Sequence, residues 1–286
     1  MEYGQVLANG LMLGAIYACI AVGFSLVWGV LNVINMMHGS FIILGGYLTF
    51  FAWLHLKVNP FVSLLPVAAV LFALGYLIQY ALINRVVTRP VLTTLTLTFG
   101  LDMILYNFMN LGFTATPRRI VLDLGRLDLG GVILPLDRVA AMGLALVLTG
   151  VLYAVLRTSR TGRAIVAVRM DRDAAALMGI RVNRVYAITF GIGALMAGAC
   201  GALAAVVFPI TTSVTGLFLG KAFVICVIGG LGSVPGALVG GIALGLIESL
   251  AGHWLGPQSA ILAGFLIMLV LLIVRPTGLV GKKGYE

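Results

Sequence analysis

The hydrophobic positions of this chain do not alternate with polar ones; they run on for a membrane's thickness at a time. Apolar stretches occupy about residues 5–30, 38–56, 60–84, 91–112, 138–156, 185–208, 219–231, 236–252 and 259–275. Runs of about 18 to 25 residues suffice to cross a bilayer core as helix. Helix is the form to expect, because a lipid-embedded span must satisfy its own backbone polar groups, and no short alternating segments of a membrane barrel occur. The pattern predicts an all-α polytopic membrane protein, a single transmembrane domain over residues 1–286 with 8–10 spans. The seventh and eighth runs are short and glycine-rich, so half-helices or a re-entrant pair are expected there.

Composition agrees: 61% of the 286 residues are hydrophobic and 9% charged, against about 25% charged in a soluble domain. The net charge of +9 would suggest nucleic acid in a soluble protein, but here it is spent on topology. Arg85, Arg89, Arg157, Arg160, Arg163, Arg169, Arg172, Arg181, Arg184, Arg275, Lys282 and Lys283 fall in three loops on one side. Lys57, Arg118, Arg119, Arg126, Arg138 and Lys221 are left for the other face. Positive-inside then predicts a cytoplasmic C-terminus, and an odd number of spans puts the N-terminus outside. The start "MEYGQVLANG" has no basic region, so no cleaved signal peptide is expected. Cys19, Cys200 and Cys226 lie inside apolar runs without paired spacing, which suits packing rather than disulfides or metal.

Two polar segments exceed simple turns. Residues 114–138 form an external segment whose "GRLDLGG" reads as a short β-hairpin, an extended cap or a plain solvated loop. Residues 157–184 form a cytoplasmic segment. Within it "VRMDRDAAALMGIRVNRV" places Met170, Ala174, Leu177 and Met178 at amphipathic-helix spacing. Asp171 suits the cap, Asp173 the first turn, and Gly179 a left-handed stop. Arg169, Arg172, Arg181 and Arg184 ring this short helix. They suit anchoring to anionic headgroups of membrane lipid, and the alanine face suits a partner's groove.

Chemistry of the enzymatic kind has no visible constellation: His38, His55 and His253 lack metal-site spacing, and there is no nucleophile elbow. "GLFLGKAF" falls short of a phosphate loop, so no cofactor is expected on this chain. Small residues recur at four-residue spacing in Gly10, Gly14 and Ala18, in Ala197, Gly201 and Ala205, and in Gly232, Gly236 and Gly240, where helices can approach closely. "HGSFIILGGYL" and "LGSVPGALVGGIAL" resemble each other, a weak sign of a transporter's repeats. Two carboxylates lie in apolar runs, Asp102 among threonines and asparagines and Glu248 near a span's end, where an interfacial role is expected. Asn32, Asn35 and His38 fall at a break between spans and suit either a loop or a path lining.

"DAAALMG" (Asp173 to Gly179) resembles the E-A-A-x-x-x-G motif of ATP-binding-cassette (ABC) permeases, with Asp173 for the glutamate and Ala174, Ala175 and Gly179 matching. "GFSLVWGVLNVINMMHGSFIILGGYL", "LMGIRVNRVYAITFGIGALMAGACGALAA" and "VIGGLGSVPGALVGGIALGLIE" are similar, in order, to the branched-chain amino-acid permease family, its H-type subunit in particular. Asp102 departs from the small or polar residue expected there. The resemblance implies an ABC importer permease in a bacterial inner membrane. It would work with a second permease, or a second copy of itself, two cytoplasmic ABC ATPases carrying ATP and magnesium, and a periplasmic solute-binding protein. It would contact membrane lipid and no nucleic acid. On this reading Arg172 to Ala175, Gly179 and Arg181 couple to the ATPase. Asn32, Asn35, His38, Gly39, Ser40, Asp102, Gly232 and Ser233 are then the candidates for the translocation path. The alternative is a gradient-driven carrier using Asp102 and Glu248.

Overall fold

In the computed structural model, which describes residues 2–122, 124–128, 130–275 and 277–280, the expected spans appear as helices. These are α1 (Glu2–Leu31), α2 (His38–Leu56), α3 (Pro60–Ala81), α4 (Val91–Phe113), α5 (Leu136–Thr158), α8 (Val182–Val207), α9 (Thr215–Gly229), α10 (Val234–Leu255) and α11 (Pro257–Val274). Between α5 and α8 lie two short helices, α6 (Arg160–Met170) and α7 (Arg172–Leu177). Eight of the described helices are long and apolar enough to cross a membrane, and the apolar helix Gln258–Val274 is shorter. The eighth apolar run, expected to be half a span, is the full 22-residue α10. α9 is the truncated one, at 15 residues.

Side-chain caps and proline set several boundaries. Asn59 accepts the Phe61 amide, with Pro60 opening α3, and Ser233 accepts the Gly236 amide at the start of α10. Each cap supplies an acceptor to an amide that the helix itself leaves unpaired. The external segment does contain a hairpin, β1 (Arg126–Asp128) antiparallel to β2 (Ile133–Pro135). Gln5 of α1 exchanges hydrogen bonds with Ile133, which fixes the start of the chain at this "hairpin end". At the opposite, "basic" end, Leu279 and Val280 amides bond the Ile228 and Gly229 carbonyls at the end of α9. Lys282 and Lys283, counted above for orientation, lie outside the described residues.

α1 and α8 form the buried centre, each packed on nearly all sides. Small residues make that possible. Added Cβ atoms at Gly241 and Gly245 of α10 would overlap the backbone of Ala18 and Gly14 on α1, and one at Gly201 of α8 would land on the Ile42 carbonyl of α2. Where lipid is as apolar as the side chains, such close backbone approach is what holds helices together. All three ridges expected from the sequence meet neighbouring helices in this way; in the third, Gly236 and Gly240 lie against Gly229 and Ile225 of α9, and Gly232 against Gly29 of α1.

Candidate functional site

Two connections leave the membrane surface and run back into the bundle. After α1 ends at Leu31, the stretch Asn32–Met37 returns along it, so that His38 Nε2 donates to the Ile20 carbonyl at 2.9 Å. Ile20 lies about 16 Å back along α1 from Leu31 at about 1.5 Å per residue. From the hairpin end, Phe208–Thr211 and the turn Thr212–Val214 descend beside α2. Ile210 faces Gly46, and Thr215 meets Gly39. α2 and α9 therefore begin side by side within the bundle rather than at its faces.

Irregular backbone at this depth persists only where protein or a water-lined cavity satisfies its polar groups. Here the satisfaction is visible. The Met37 amide donates to Asn35 Oδ1 at 3.1 Å. Arg118 and Ile210 exchange backbone hydrogen bonds of 2.9 and 2.7 Å, and Thr211 donates to the Ala115 carbonyl at 2.9 Å. The external segment thus does more than cap the hairpin end, since it pins the second broken stretch in place.

The rest of the satisfaction comes from α4. Thr94, Thr98, Asp102, Tyr106 and Asn110 recur every four residues and share one face of it. Thr98 Oγ1 donates to the Ile34 carbonyl at 2.9 Å, Ser40 Oγ to Asp102 at 2.5 Å, and Thr212 Oγ1 to Asn110 at 2.5 Å. One helix is thereby hydrogen-bonded along its length to both broken stretches, forming a polar seam. Its other side presents Leu92, Ile104, Phe108 and Leu111 outward. The sequence pointed to Asp102 among threonines and asparagines as its partners; its partner is Ser40, on another helix. The four-residue polar period from 94 to 110 was the signal to follow, hidden because the same helix is apolar on average.

The second carboxylate is elsewhere and not interfacial. Glu248 is buried in α10, where Lys221 Nζ lies 2.7 Å from its Oε2 and Tyr17 Oη donates to the same oxygen at 2.8 Å. Lys221, assigned above to the outer face, is buried with it and sits over the Tyr17 ring, 4.4 Å from its centroid. Lysine and glutamate are 27 positions apart on consecutive helices, so no local spacing announces them. Glu248 thus has a resident lysine partner, which takes it out of the gradient-driven alternative.

At the basic end α7 stands apart. Asp171 caps it, accepting the amides of Asp173 and Ala174 at 2.9 Å each, and Gly179 closes it at φ +83°, both as the sequence predicts. The burial is reversed from the expected amphipathic face. Ala175 is turned inward at 5% exposure, while Leu177 and Met178 are 89% and 83% exposed; Met170 belongs to the end of α6. Arg172 meets Asp173 at 3.6 Å in the open, and Arg181 opens α8 without a side-chain cap. Beside α7 is a cavity of about 330 Å³ lined in part by Asn32, Arg89, Arg169 and Arg172.

The candidates from sequence therefore separate into three places. Ser40 and Asp102 meet in the seam, with Asn35 in the adjoining broken stretch and Gly39 against Thr215. Asn32, Gly232 and Ser233 lie at the basic end, where Gly232 packs on Gly29. His38 turns away from the seam, against Phe24 and the Ile20 carbonyl.

A bundle of this architecture, with broken internal helices and a short projecting helix, has the fold of an ABC importer permease. The chain superposes on PsaBC from Streptococcus pneumoniae in complex with Fab with a TM-score of 0.53 and 12% identity, over 96% of this chain and 93% of that one. The family described as branched-chain amino acid transport system / permease component matches residues 6–275. The chain is 30% identical to the high-affinity branched-chain amino acid transport system permease protein BraD of Pseudomonas aeruginosa, covering 100% of this chain and 98% of that protein. It is 31% identical to the corresponding permease protein LivH of Escherichia coli K12, covering 99% and 96%. The chain belongs to the branched-chain amino acid transport permease family, and it is a multi-pass membrane protein that works as the permease component of an ABC importer.

Proposed function

We propose that this chain is one transmembrane half of an importer for branched-chain or related small amino acids in a bacterial inner membrane. A second permease, or a second copy of this chain, completes the path. Two cytoplasmic ABC ATPases bind and hydrolyse ATP with magnesium, and a periplasmic binding protein delivers the solute. This chain holds no cofactor of its own. The basic end faces the cytoplasm, supported by the ten arginines Arg85, Arg89, Arg157, Arg160, Arg163, Arg169, Arg172, Arg181, Arg184 and Arg275 gathered there. The C-terminus is then cytoplasmic as well.

The observation that carries the reading is α7. A six-residue helix at the basic end, capped by Asp171 and turning Leu177 and Met178 outward, is shaped to enter a groove on a partner. Docked on an ATPase, it passes movement to α6 through Asp171 and to α8 through the turn Met178–Arg181. Arg172 and Arg181 flank it at the membrane face. The seam under α4, with Asn35, Gly39, Ser40 and Asp102, is the wall of the path, and the glycine-rich turn at Gly232 and Ser233 is a hinge at its inner end. The test is gentle extraction of the tagged chain from its native membrane with mass spectrometry of what co-purifies. A second permease and one or two ATPases are expected, and a lone chain that takes up amino acids without them would overturn the reading.

A further inference from the structure

Asp102 is an acid without a counter-charge. It lies about 16 Å along α4 from Val91 at about 1.5 Å per residue, near the middle of a core about 30 Å thick. It is half-buried, and its hydrogen bond is the one from Ser40. Among the described residues the ion pairs are Arg172 with Asp173 and Lys221 with Glu248, so no lysine, arginine or histidine nitrogen reaches it. Glu248 shows what a resident pair looks like in this fold, held between a lysine and a tyrosine from two other helices. Asp102 has been left out of any such arrangement.

Carboxylates at membrane depth are costly, and they mark a cation or its path where no fixed partner neutralises them. The seam is poorly furnished for a divalent ion: no group of three His, Cys, Asp or Glu side chains suited to a metal occurs among the described residues, and calcium takes about six to eight oxygens. An ammonium group asks for less. It has three N–H donors, and the seam offers neutral oxygens: Ser40 Oγ on Asp102 itself, and one helical turn along α4 Thr98 with the Ile34 carbonyl it bonds. In the adjoining stretch Asn32–Met37, Asn35 is 1% exposed and its amide nitrogen has no protein partner.

We propose that Asp102 supplies the counter-charge for the α-ammonium group of an amino acid passing along the α4 seam. The proposal rests on the amino-acid importer reading above. It gives the path a selection of its own, since a solute with a carboxylate but no ammonium would leave Asp102 unpaired.

The test uses the intact importer recovered through this chain, reconstituted in vesicles with its binding protein and leucine. Amino acid moved is counted against ATP hydrolysed. Asp102→Asn is expected to assemble and to keep ATP hydrolysis stimulated by the loaded binding protein, yet to move at least tenfold less leucine per ATP. Asp102→Glu is expected to recover most of that loss. Unchanged leucine per ATP in Asp102→Asn would overturn the proposal. So would an Asp102→Glu no better than Asp102→Asn. Loss of the second permease from the Asp102→Asn complex would overturn it as well, because it would assign the carboxylate to a cation on that partner. A wild-type importer that moves no amino acid at all would instead remove the importer reading, and this inference with it.

Discussion

Replacing Glu248 by glutamine takes one charge out of a buried cluster. Lys221 and Glu248 are 9% and 8% exposed at their side chains and 2.7 Å apart. Tyr17 completes the group from a third helix. In the variant Lys221 keeps a tyrosine oxygen and the face of its ring but no counter-ion. Removing one partner of a buried pair costs about 3–5 kcal/mol, because the remaining charge stays desolvated. Scaled by the melting entropy of a chain of a few hundred residues, that is a drop on the order of 10 °C in thermal midpoint. Removing both charges is different, since an apolar pair of similar volume is often neutral or stabilising. Lys221→Met with Glu248→Leu is therefore expected to melt within a few degrees of wild type, well above Glu248→Gln. The assay is thermal unfolding of the detergent-solubilised chain, followed by tryptophan fluorescence and by the fraction still monodisperse after heating. A Glu248→Gln midpoint within 2 or 3 °C of wild type, roughly a 1 kcal/mol effect, would refute the reasoning. So would a double variant no more stable than the single.

Leu177→Asp changes a side chain that touches little, so the thermal midpoint of the purified chain is expected to hold, within about 0.5 kcal/mol. The amount of ATPase recovered with it is expected to fall at least tenfold on the proposed docking. Ala175→Trp, by contrast, forces an indole into a position 5% exposed. It is expected to destabilise the chain itself by about 1–3 kcal/mol, visible as a lowered melting midpoint without any partner present. Gly201→Leu would drive its side chain into the Ile42 carbonyl, whereas a methyl group added at Gly100 of α4 would meet nothing within 4 Å. The first is expected to abolish folded yield on size-exclusion chromatography. Gly100→Ala is expected to gain up to about 1 kcal/mol from helix propensity.

The spans were legible because each is a long apolar run, and bilayer thickness leaves helix as the form for such a run. α7 was legible down to its cap and its stop, since Asp171 and Gly179 act through their own backbone neighbourhood. Its orientation was not. Ala175 faces inward because α6 and α8 hold both ends of the helix, and the six residues between them contain no record of that. The external hairpin was readable from "GRLDLGG", but the strand-like pairing of Arg118 with Ile210 joins segments about ninety residues apart. Lys221 and Glu248 were misplaced for a related reason. An ionisable residue near the end of an apolar run reads as interfacial until the chain brings its partner alongside. The break at Asn32 to His38 read as either a loop or a path lining, and Phe208–Val214 went unread, because the property that decides, their depth, comes from packing against α1 and α2.

The seam under α4 is closed by hydrogen bonds where most of the bundle is closed by close-packed glycines and alkyl groups. These two kinds of closure answer water differently. A glycine ridge parted by water loses its contacts and gains nothing. A hydroxyl or amide parted from its partner exchanges it for a water molecule, at a net cost of about 0.5–1.5 kcal/mol per neutral bond and about 1.5–3 kcal/mol for one to a carboxylate. The three side-chain bonds from Thr98, Ser40 and Thr212 therefore hold α4 by a few kcal/mol against wetting. The bundle has a line along which it can fill with solvent while the rest of it stays dry.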